Sequence, residues 1–342
     1  MNLKQLSNQL GLSQTTVSRA LNDYPEVNED TRQRVKLAAL KHNYRPNTRA
    51  MSLATGKAMA IGHIIPMHSN IEVFNPIFAE FIAGASQTYA SQGYELILTM
   101  ANSEDEEANY RSIASKGSVD GVIVHAPRFN DSRIPLLQNL GLPFVLHGRD
   151  SYNDSSSYSW IDINNRRAFY QATKLLIDLG HQNISLINGR ETLNFARRRR
   201  EGFCDALGDE GLQATEDFMY SGDLTEANGF NAASDALAQA NRPTAFLVSS
   251  YVGALGVRRA IHNAGLKMGK DISVIIHDDE LSFFHNNGDT PQFTATRSSV
   301  RDAGARAAQM LIDIIDNPAN GPITELLEAR LTIGASTGPC KS

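Results

Sequence analysis

The sequence predicts a small all-α module at the N-terminus, followed by an α/β body built on doubly wound parallel sheets. Three leucines at helical spacing, Leu3, Leu6 and Leu10, open the chain. From Ala58 onward, short apolar runs such as "GVIVHA" and "AFLVSS" alternate with amphipathic stretches. Such strand–helix alternation is typical of parallel sheets. At 342 residues, the chain has room for two lobes of this kind behind the N-terminal module.

The composition is that of an ordinary globular protein, with 42% hydrophobic and 20% charged residues. Two cysteines, Cys204 and Cys340, are too few for a disulfide framework and favour a reducing compartment. No apolar run is long enough to span a bilayer, and the opening "MNLKQLSNQL" lacks the apolar core of a signal peptide. We therefore expect a cytoplasmic protein with no membrane partner.

The charge is divided unequally along the chain. Residues 1–57 contain nine Lys or Arg and four Asp or Glu, whereas the rest contains 23 basic and 33 acidic residues. A basic module on an acidic body indicates that the module alone meets a polyanion.

The N-terminal module has the pattern of three short helices. Residues 3–10 form the first, and Gly11 suits a tight turn. Ser13 is a good N-cap for a second helix whose buried stripe is Val17, Ala20 and Leu21. A third helix begins at Asn28, and its apolar face is expected to consist of Val35, Leu37, Ala38 and Leu40.

The second helix carries hydroxyl, amide and guanidinium groups opposite its buried stripe. Side chains of this kind can read base edges in the major groove, and arginine can bind guanine through two hydrogen bonds. The compact helix–glycine–helix spacing predicts a helix-turn-helix, with a generic three-helix bundle as the alternative. The candidate DNA-contacting residues here are Ser13, Gln14, Thr15, Thr16, Ser18, Arg19 and Asn22.

A short segment, "NYRPNTRAMSLATG", follows the module. Pro46 breaks or starts a helix, and the segment is too short to be a stable helix alone. Leu53 has no obvious core to enter. It either inserts as a wedge into the minor groove of DNA or packs on a neighbouring domain, and the residues alone favour neither reading.

These pieces together resemble the lactose-repressor (LacI/GalR) family. The resemblance rests on "TTVSRALN", "VNEDTRQRV", "HNYRPNTRAMSLATG" and "IGHIIP", in this order, and extends more weakly over the remaining chain. It implies base contacts by Gln14, Thr15 and Arg19 and intercalation by Leu53. It also implies backbone contacts or hinge support by Tyr44, Arg45 and Asn47.

The resemblance also implies a domain plan. A helix-turn-helix headpiece spans 1–45 and a hinge spans 46–57. The effector domain is two-lobed and periplasmic-binding-protein-like, with doubly wound parallel sheets. Its N-terminal lobe is expected to comprise 58–158 and 292–320, and its C-terminal lobe 159–291 and 321–342.

Polar side chains follow many of the predicted strands, where open α/β sheets bind ligands. Their hydroxyls, imidazoles, arginines and carboxylates suit a polyhydroxyl ligand such as a sugar. The family resemblance singles out Arg199 in "NFARRRREGF" and Asp278 in "SVIIHDDE". A structural role remains the alternative for His125, and a solvated helix face for most of Arg197–Arg200. The candidate ligand-binding residues are His68, Phe74, His125, His147, Arg149, Trp160, Asn194, Arg199, Ser250, Tyr251 and Asp278.

No phosphate-binding loop or nucleophile elbow is present, so we expect no enzyme activity and no cofactor. The run His277–Glu280 is a poor metal site, because successive strand residues point in opposite directions. The expected function is a homodimeric, sugar-released repressor of a palindromic operator. "HGR" and "FARRRREGF" resemble regulators of α-glucoside or trehalose use. A transport-type sugar-binding protein and a repressor that uses its ligand as co-repressor are the alternatives.

Overall fold

The computed structural model describes residues 1–44, 56–67, 75–102, 105–150, 152, 155–286 and 288–341. The chain divides into two compact units, Met1–Met59 and Ala60–Ser342.

The first unit contains the three helices expected from the sequence, α1 (Leu3–Leu10), α2 (Gln14–Leu21) and α3 (Glu29–Lys41). Each begins at a polar N-cap whose side chain accepts a backbone N–H: Asn2, Ser13 and Asn28. Gly11 ends α1 in the left-handed conformation, with φ of 67°. The buried core of this unit consists of Leu6, Val17, Ala20, Val27, Val35 and Ala39.

One expectation for α3 is wrong. The sequence predicts Leu37 and Leu40 on the apolar face, but 66% and 78% of their surfaces are exposed. The buried face is instead carried by Val35 and Ala39, which lie four residues apart and therefore on one side of the helix.

The second unit contains eight α-helices and twelve strands within its described residues. Its helices are α4 (Pro76–Ser91), α5 (Glu106–Lys116), α6 (Arg133–Leu140), α7 (Asn165–Asp178), α8 (Asn194–Asp209), α9 (Glu226–Leu237), α10 (Tyr251–Asn263) and α11 (Val300–Asp316). Its strands are β1 (Ala60–Met67), β2 (Glu95–Asn102), β3 (Gly121–His125), β4 (Phe144–His147), β5 (Ser159–Ile163), β6 (Ile184–Gly189), β7 (Met219–Gly222), β8 (Ala245–Val248), β9 (Ser273–Asp278), β10 (Thr294–Arg297), β11 (Thr324–Leu327) and β12 (Arg330–Thr332).

The strands form two six-stranded sheets, one in each lobe. The first sheet has the order β11-β5-β4-β3-β1-β2, and the second has the order β12-β10-β9-β8-β6-β7. All pairings are parallel except that of β10 with β12. Helices pack on the sheets, and the strands β3, β4, β5, β6, β8 and β9 are almost completely buried, as the parallel arrangement requires. Strands β7, β11 and β12 are partly exposed.

The chain passes between the lobes later than the family resemblance implies. The expected boundaries were 158, 291 and 320, but β5 and β11 both belong to the first sheet and β10 belongs to the second. The crossings therefore follow Ile163, Arg297 and Leu327. The reason is that β5, β10 and β11 join their sheets through hydrogen bonds to β4, β9 and β5 respectively, and the local apolar pattern does not encode such pairing.

Helices α4 and α11 pack closely against each other on the first lobe. A Cβ atom at Gly84 would lie 2.0 Å from the Arg301 carbonyl oxygen, and one at Gly304 would lie 2.1 Å from that of Phe81. Glycine is required at this crossing, which attaches the returning segment of the chain to the first lobe.

Candidate functional site

Helix α2 presents a polar face to solvent. Gln14, Thr15 and Arg19 are exposed, while Val17 and Ala20 are buried beneath them. Within residues 1–44, no hydrogen bond or ion pair engages the side chains of these three exposed residues. Their amide, hydroxyl and guanidinium groups are therefore available to a ligand, as direct reading of DNA bases requires.

The other polar residues of this segment support the helix. Ser13 Oγ accepts the Thr16 backbone N–H at 3.0 Å and lies 2.9 Å from the Thr16 hydroxyl. Asn22 Nδ2 donates to the Ser18 carbonyl at 2.8 Å. Tyr44 is half-buried and packs against the headpiece core. The predicted contacts Arg45, Asn47, Leu53, His68 and Phe74 lie outside the described residues.

A cavity of about 390 Å³ lies between the two lobes, at the carboxyl ends of their strands. Its polar lining comes from both lobes. His147 and Asp162 belong to the first lobe, and Arg190, Arg199 and Asp279 belong to the second. Phe78, Pro127 and Phe195 add apolar faces. This combination of flat apolar groups with a few charged groups is typical of a small-molecule site.

Arg199 is the buried cation of this cavity. Its Nε donates to Asn165 Oδ1 and its Nη1 to the Ser249 carbonyl, both at 2.7 Å. The guanidinium lies 4.9 Å from the centre of the Phe195 ring. Burial lowers the pKa of Arg199 to about 10, so the side chain stays charged at neutral pH. The sequence prediction placed Arg199 at the ligand, and the structure places it on the cavity wall.

Of the two carboxylates at the end of β9, Asp279 lines the cavity, whereas the prediction named Asp278. The two residues follow one another at the end of β9 and point in opposite directions. Asp278 Oδ1 accepts the Glu280 N–H at 3.0 Å, and its other oxygen lies 3.4 Å from Arg297 Nε. Burial would raise the pKa of the Asp279 carboxyl, but His277 and Arg199 beside it outweigh burial and lower that pKa.

Of the first-lobe candidates, His147 lines the cavity, whereas Arg149 does not line it and instead pairs with Asp162, which does. Arg149 Nε is 3.0 Å from Asp162 Oδ2, and its guanidinium lies 5.1 Å from the Trp160 ring centre. Trp160 is buried, donates its Nε1–H to the Ser155 carbonyl and does not line the cavity. Burial raises the pKa of Asp162, against the opposing effect of Arg149.

Three further candidate residues have structural roles away from the cavity lining. His125 is completely buried between two other histidines. Ser250 is the N-cap of α10 and accepts the Gly253 N–H at 3.0 Å. Tyr251 stacks on Phe284 within the core of the second lobe. None of the three is among the residues that line the cavity.

Asn194 joins the lobes beside the cavity. Its backbone N–H donates to the Pro127 carbonyl at 3.1 Å, and its Nδ2 donates to the Arg128 carbonyl at 2.6 Å. Leu193 and Arg128 form an isolated antiparallel bridge at the same place. Asn194 is thus a contact between lobes, a role that its position at the start of α8 did not reveal.

The sequence reasoning missed Asp162, Asn165 and Asp223 as cavity residues. Asp223 forms a two-point ion pair with Arg190, with Nη2–Oδ2 at 3.0 Å. It follows β7, and a search of every strand end would have found it. Asp162 lies within β5 and Asn165 opens α7, at the first crossing between the lobes, so their location depended on the correct crossing point.

Within the part of the chain that the structure describes, no helix is long and apolar enough to cross a membrane. The same residues contain no cluster of three or more potential metal ligands.

Two family models match the chain. Residues 2–47 match bacterial regulatory proteins of the lacI family, and residues 58–332 match periplasmic binding proteins and the sugar binding domain of the LacI family. The transcriptional regulator AglR of Rhizobium meliloti is 46% identical over 339 residues, which cover 99% of this chain and 95% of that relative. RafR of Escherichia coli is 30% identical, covering 81% and 82% of the two chains.

Solved structures show the same fold. A lac repressor dimer bound to operator and the anti-inducer ONPF has a TM-score of 0.84 at 24% identity, over 99% of both chains. A complex of the regulator CelR with cellobiose has a TM-score of 0.73 at 24% identity, over 98% of this chain and 99% of the other.

Proposed function

This chain belongs to the LacI family of bacterial transcriptional regulators, and we propose that it is a homodimeric repressor released from a palindromic operator by a small sugar. Its relatives are named transcriptional regulators and repressors, so the chain is a DNA-binding regulator and not an enzyme. The operator, the dimer and the identity of the sugar are the parts that we propose here.

The exposed face of α2 supports the proposed DNA binding. Gln14, Thr15 and Arg19 would contact base edges in the major groove, and Ser13, Thr16, Ser18 and Asn22 would set the helix and contact the phosphate backbone. Tyr44, Arg45 and Asn47 would contact the DNA backbone and support the hinge, and Leu53 in the hinge would wedge the operator centre. Two such headpieces match the two-fold symmetry of a palindromic site.

The cavity between the lobes supports the proposed sugar binding. Arg199 and His147 supply nitrogen groups, Asp162 and Asp279 supply carboxylate acceptors, and Phe195 supplies an aromatic face. A sugar hydroxyl can donate to a carboxylate and accept from a guanidinium at once. We assign Arg149, Trp160 and Asn194 supporting places around the ligand rather than contact with it.

We further propose an α-linked disaccharide such as trehalose as the ligand, with the cytoplasm as the place of action. The resemblance of "HGR" and "FARRRREGF" to α-glucoside regulators supports this choice, and the cavity volume is within the range of small-molecule sites. A ligand that closes the lobes would favour one arrangement of the dimer and weaken DNA binding.

Selection of operator DNA from a random pool tests the DNA-binding half. The full-length protein is expected to enrich a pseudo-palindrome with two half-sites. Enrichment of no sequence, combined with tight binding of a sugar, would favour a transport-type binding protein instead.

A further inference from the structure

Behind the cavity, the first lobe contains a continuous row of hydrogen-bonded rings, which we call the histidine row. Its members are Tyr89 on α4, His63 on β1, His125 at the end of β3 and His147 at the end of β4. Tyr89 Oη lies 2.8 Å from His63 Nε2, and His63 Nδ1 lies 3.1 Å from His125 Nε2. His125 Nδ1 lies 3.3 Å from His147 Nδ1. The row thus runs from the interior to the cavity wall.

The rings of the histidine row are held in place and are neutral. Phe81 stacks on His147 with ring centres 4.2 Å apart and packs edge-on against His125. Burial lowers the pKa of His63 to about 3 and that of His147 to about 4. Each neutral imidazole carries one proton, so one of its nitrogens donates and the other accepts.

The tyrosine hydroxyl determines the direction of the row. Tyr89 is buried, and among the described residues its only hydrogen-bond partner is His63. The hydroxyl therefore donates to His63 Nε2, because the reverse direction would leave a buried donor unpaired. His63 Nδ1 then donates to His125 Nε2, and His125 Nδ1 donates to His147 Nδ1. The remaining proton of His147 consequently sits on Nε2.

We infer that the histidine row fixes His147 as a hydrogen-bond donor toward the cavity, which selects a ligand oxygen with a free lone pair. His147 lines the cavity, and within the described residues no protein atom accepts from its Nε2. If the ligand is a sugar, as the proposed function holds, its ring and glycosidic oxygens are acceptors only and fit this donor. Tyr89, His63 and His125 are positioning residues that act through His147.

This inference is tested without ligand by the protonation of the imidazole nitrogens. Long-range ¹H–¹⁵N correlation spectra of the full-length protein, with ¹⁵N-labelled histidine at pH 7, report which nitrogen of each ring is protonated. The expected pattern is Nδ1–H for His63 and His125 and Nε2–H for His147. A proton on Nδ1 of His147, or a charged ring, would overturn the inference.

Tyr89→Phe tests the direction of the row, because it keeps the ring and removes only the donor. In this variant we expect His147 to show Nδ1–H or a mixture of the two forms. Tyr110→Phe is the matched control, since Tyr110 is also completely buried in the first lobe and lies outside the row. An unchanged His147 spectrum in folded Tyr89→Phe protein would overturn the inference.

Calorimetric titration with trehalose, maltose and sucrose adds a ligand readout. Tyr89→Phe is expected to weaken binding of the recognised sugar at least tenfold, and Tyr110→Phe to leave it unchanged. Equal affinities for the two variants would contradict the selective role of His147. The expected protonation pattern without binding of any sugar would support the donor assignment and contradict the proposed sugar function.

Discussion

Asp278 and Asp279 are adjacent in sequence but have different surroundings. Asp279 lines the cavity close to Arg199 and His277, whereas Asp278 bonds to the Glu280 backbone and approaches Arg297. The pKa values reflect this difference, because burial raises that of Asp278 while neighbouring groups lower that of Asp279. Of this pair, Asp279 is the carboxylate that the cavity offers to a ligand, and its lowered pKa keeps it ionised at pH 7.

Asp279→Asn is expected to weaken sugar binding by about 1.5–3 kcal/mol, because it replaces a charged acceptor by a neutral amide. Isothermal titration calorimetry with the inducing sugar measures this loss. Asp278→Asn is the control and should retain the affinity of the natural protein. The reverse ranking of the two variants would return the ligand contact to Asp278.

Among the elements, helix α2 uses one side for packing and the opposite side for DNA recognition. Its buried side packs in the headpiece core, and on its exposed side the side chains of Gln14, Thr15 and Arg19 make no hydrogen bond or ion pair within residues 1–44. Substitutions on the exposed side should therefore change DNA binding and leave folding intact.

Arg19→Ala is expected to cost about 1–3 kcal/mol of operator binding and to relax specificity at one base pair in each half-site. Arg19→Lys is the matched control, because it keeps the charge but not the two-point geometry. We expect it to retain affinity for random DNA while losing discrimination. Equal losses on operator and random DNA for Arg19→Ala would contradict base reading.

Strands β1, β3 and β4 place three neutral histidines in the first lobe, and this makes the stability of the lobe depend on pH. The folded-state pKa of His63, about 3, lies below the ordinary value of 6.5. The unfolded chain therefore binds more protons, and stability falls as pH decreases below 6.5. Each such histidine contributes a slope of up to about 1.4 kcal/mol per pH unit.

Urea unfolding at pH 7, 6 and 5 measures this dependence. The natural protein should lose stability steeply over this range, and His63→Gln should show a shallower slope. Parallel slopes for the two proteins would show that His63 is protonated in the folded state.

An element could be predicted from the sequence where its position depends on neighbouring residues. The caps Asn2, Ser13 and Asn28 and the turn at Gly11 fix the headpiece helices through neighbouring residues, and the sequence indicated where each of the three helices begins. The lobe crossings depend on hydrogen bonds between strands distant in sequence, so the local pattern could not locate them.

The same distinction applies to the candidate site. Arg199 and His147 were predicted from strand ends and family resemblance, and they line the cavity. Asp162 and Asn165 were missed because they lie at a misplaced crossing. The family resemblance indicates Asp278, but Asp279 lines the cavity, because the direction of each side chain depends on how β9 ends.

At the scale of the whole molecule, the proposed regulation couples the cavity to the DNA-binding unit. In the second unit the lobes already touch at Asn194, whose N–H groups reach the Pro127 and Arg128 carbonyls. A ligand that contacts Asp162 in one lobe and Arg199 in the other would add to these contacts and favour closure. The two sites then share one equilibrium, and each ligand changes the affinity for the other.

The most direct test is titration of the full-length protein onto its selected operator at fixed salt, with and without trehalose, sucrose and maltose. We expect at least one α-linked disaccharide to weaken operator binding tenfold or more, which corresponds to about 1.4 kcal/mol of coupling. Tighter operator binding in the presence of the sugar would identify a co-repressor. Operator binding that none of these sugars changes would contradict the proposed release of DNA by an α-glucoside.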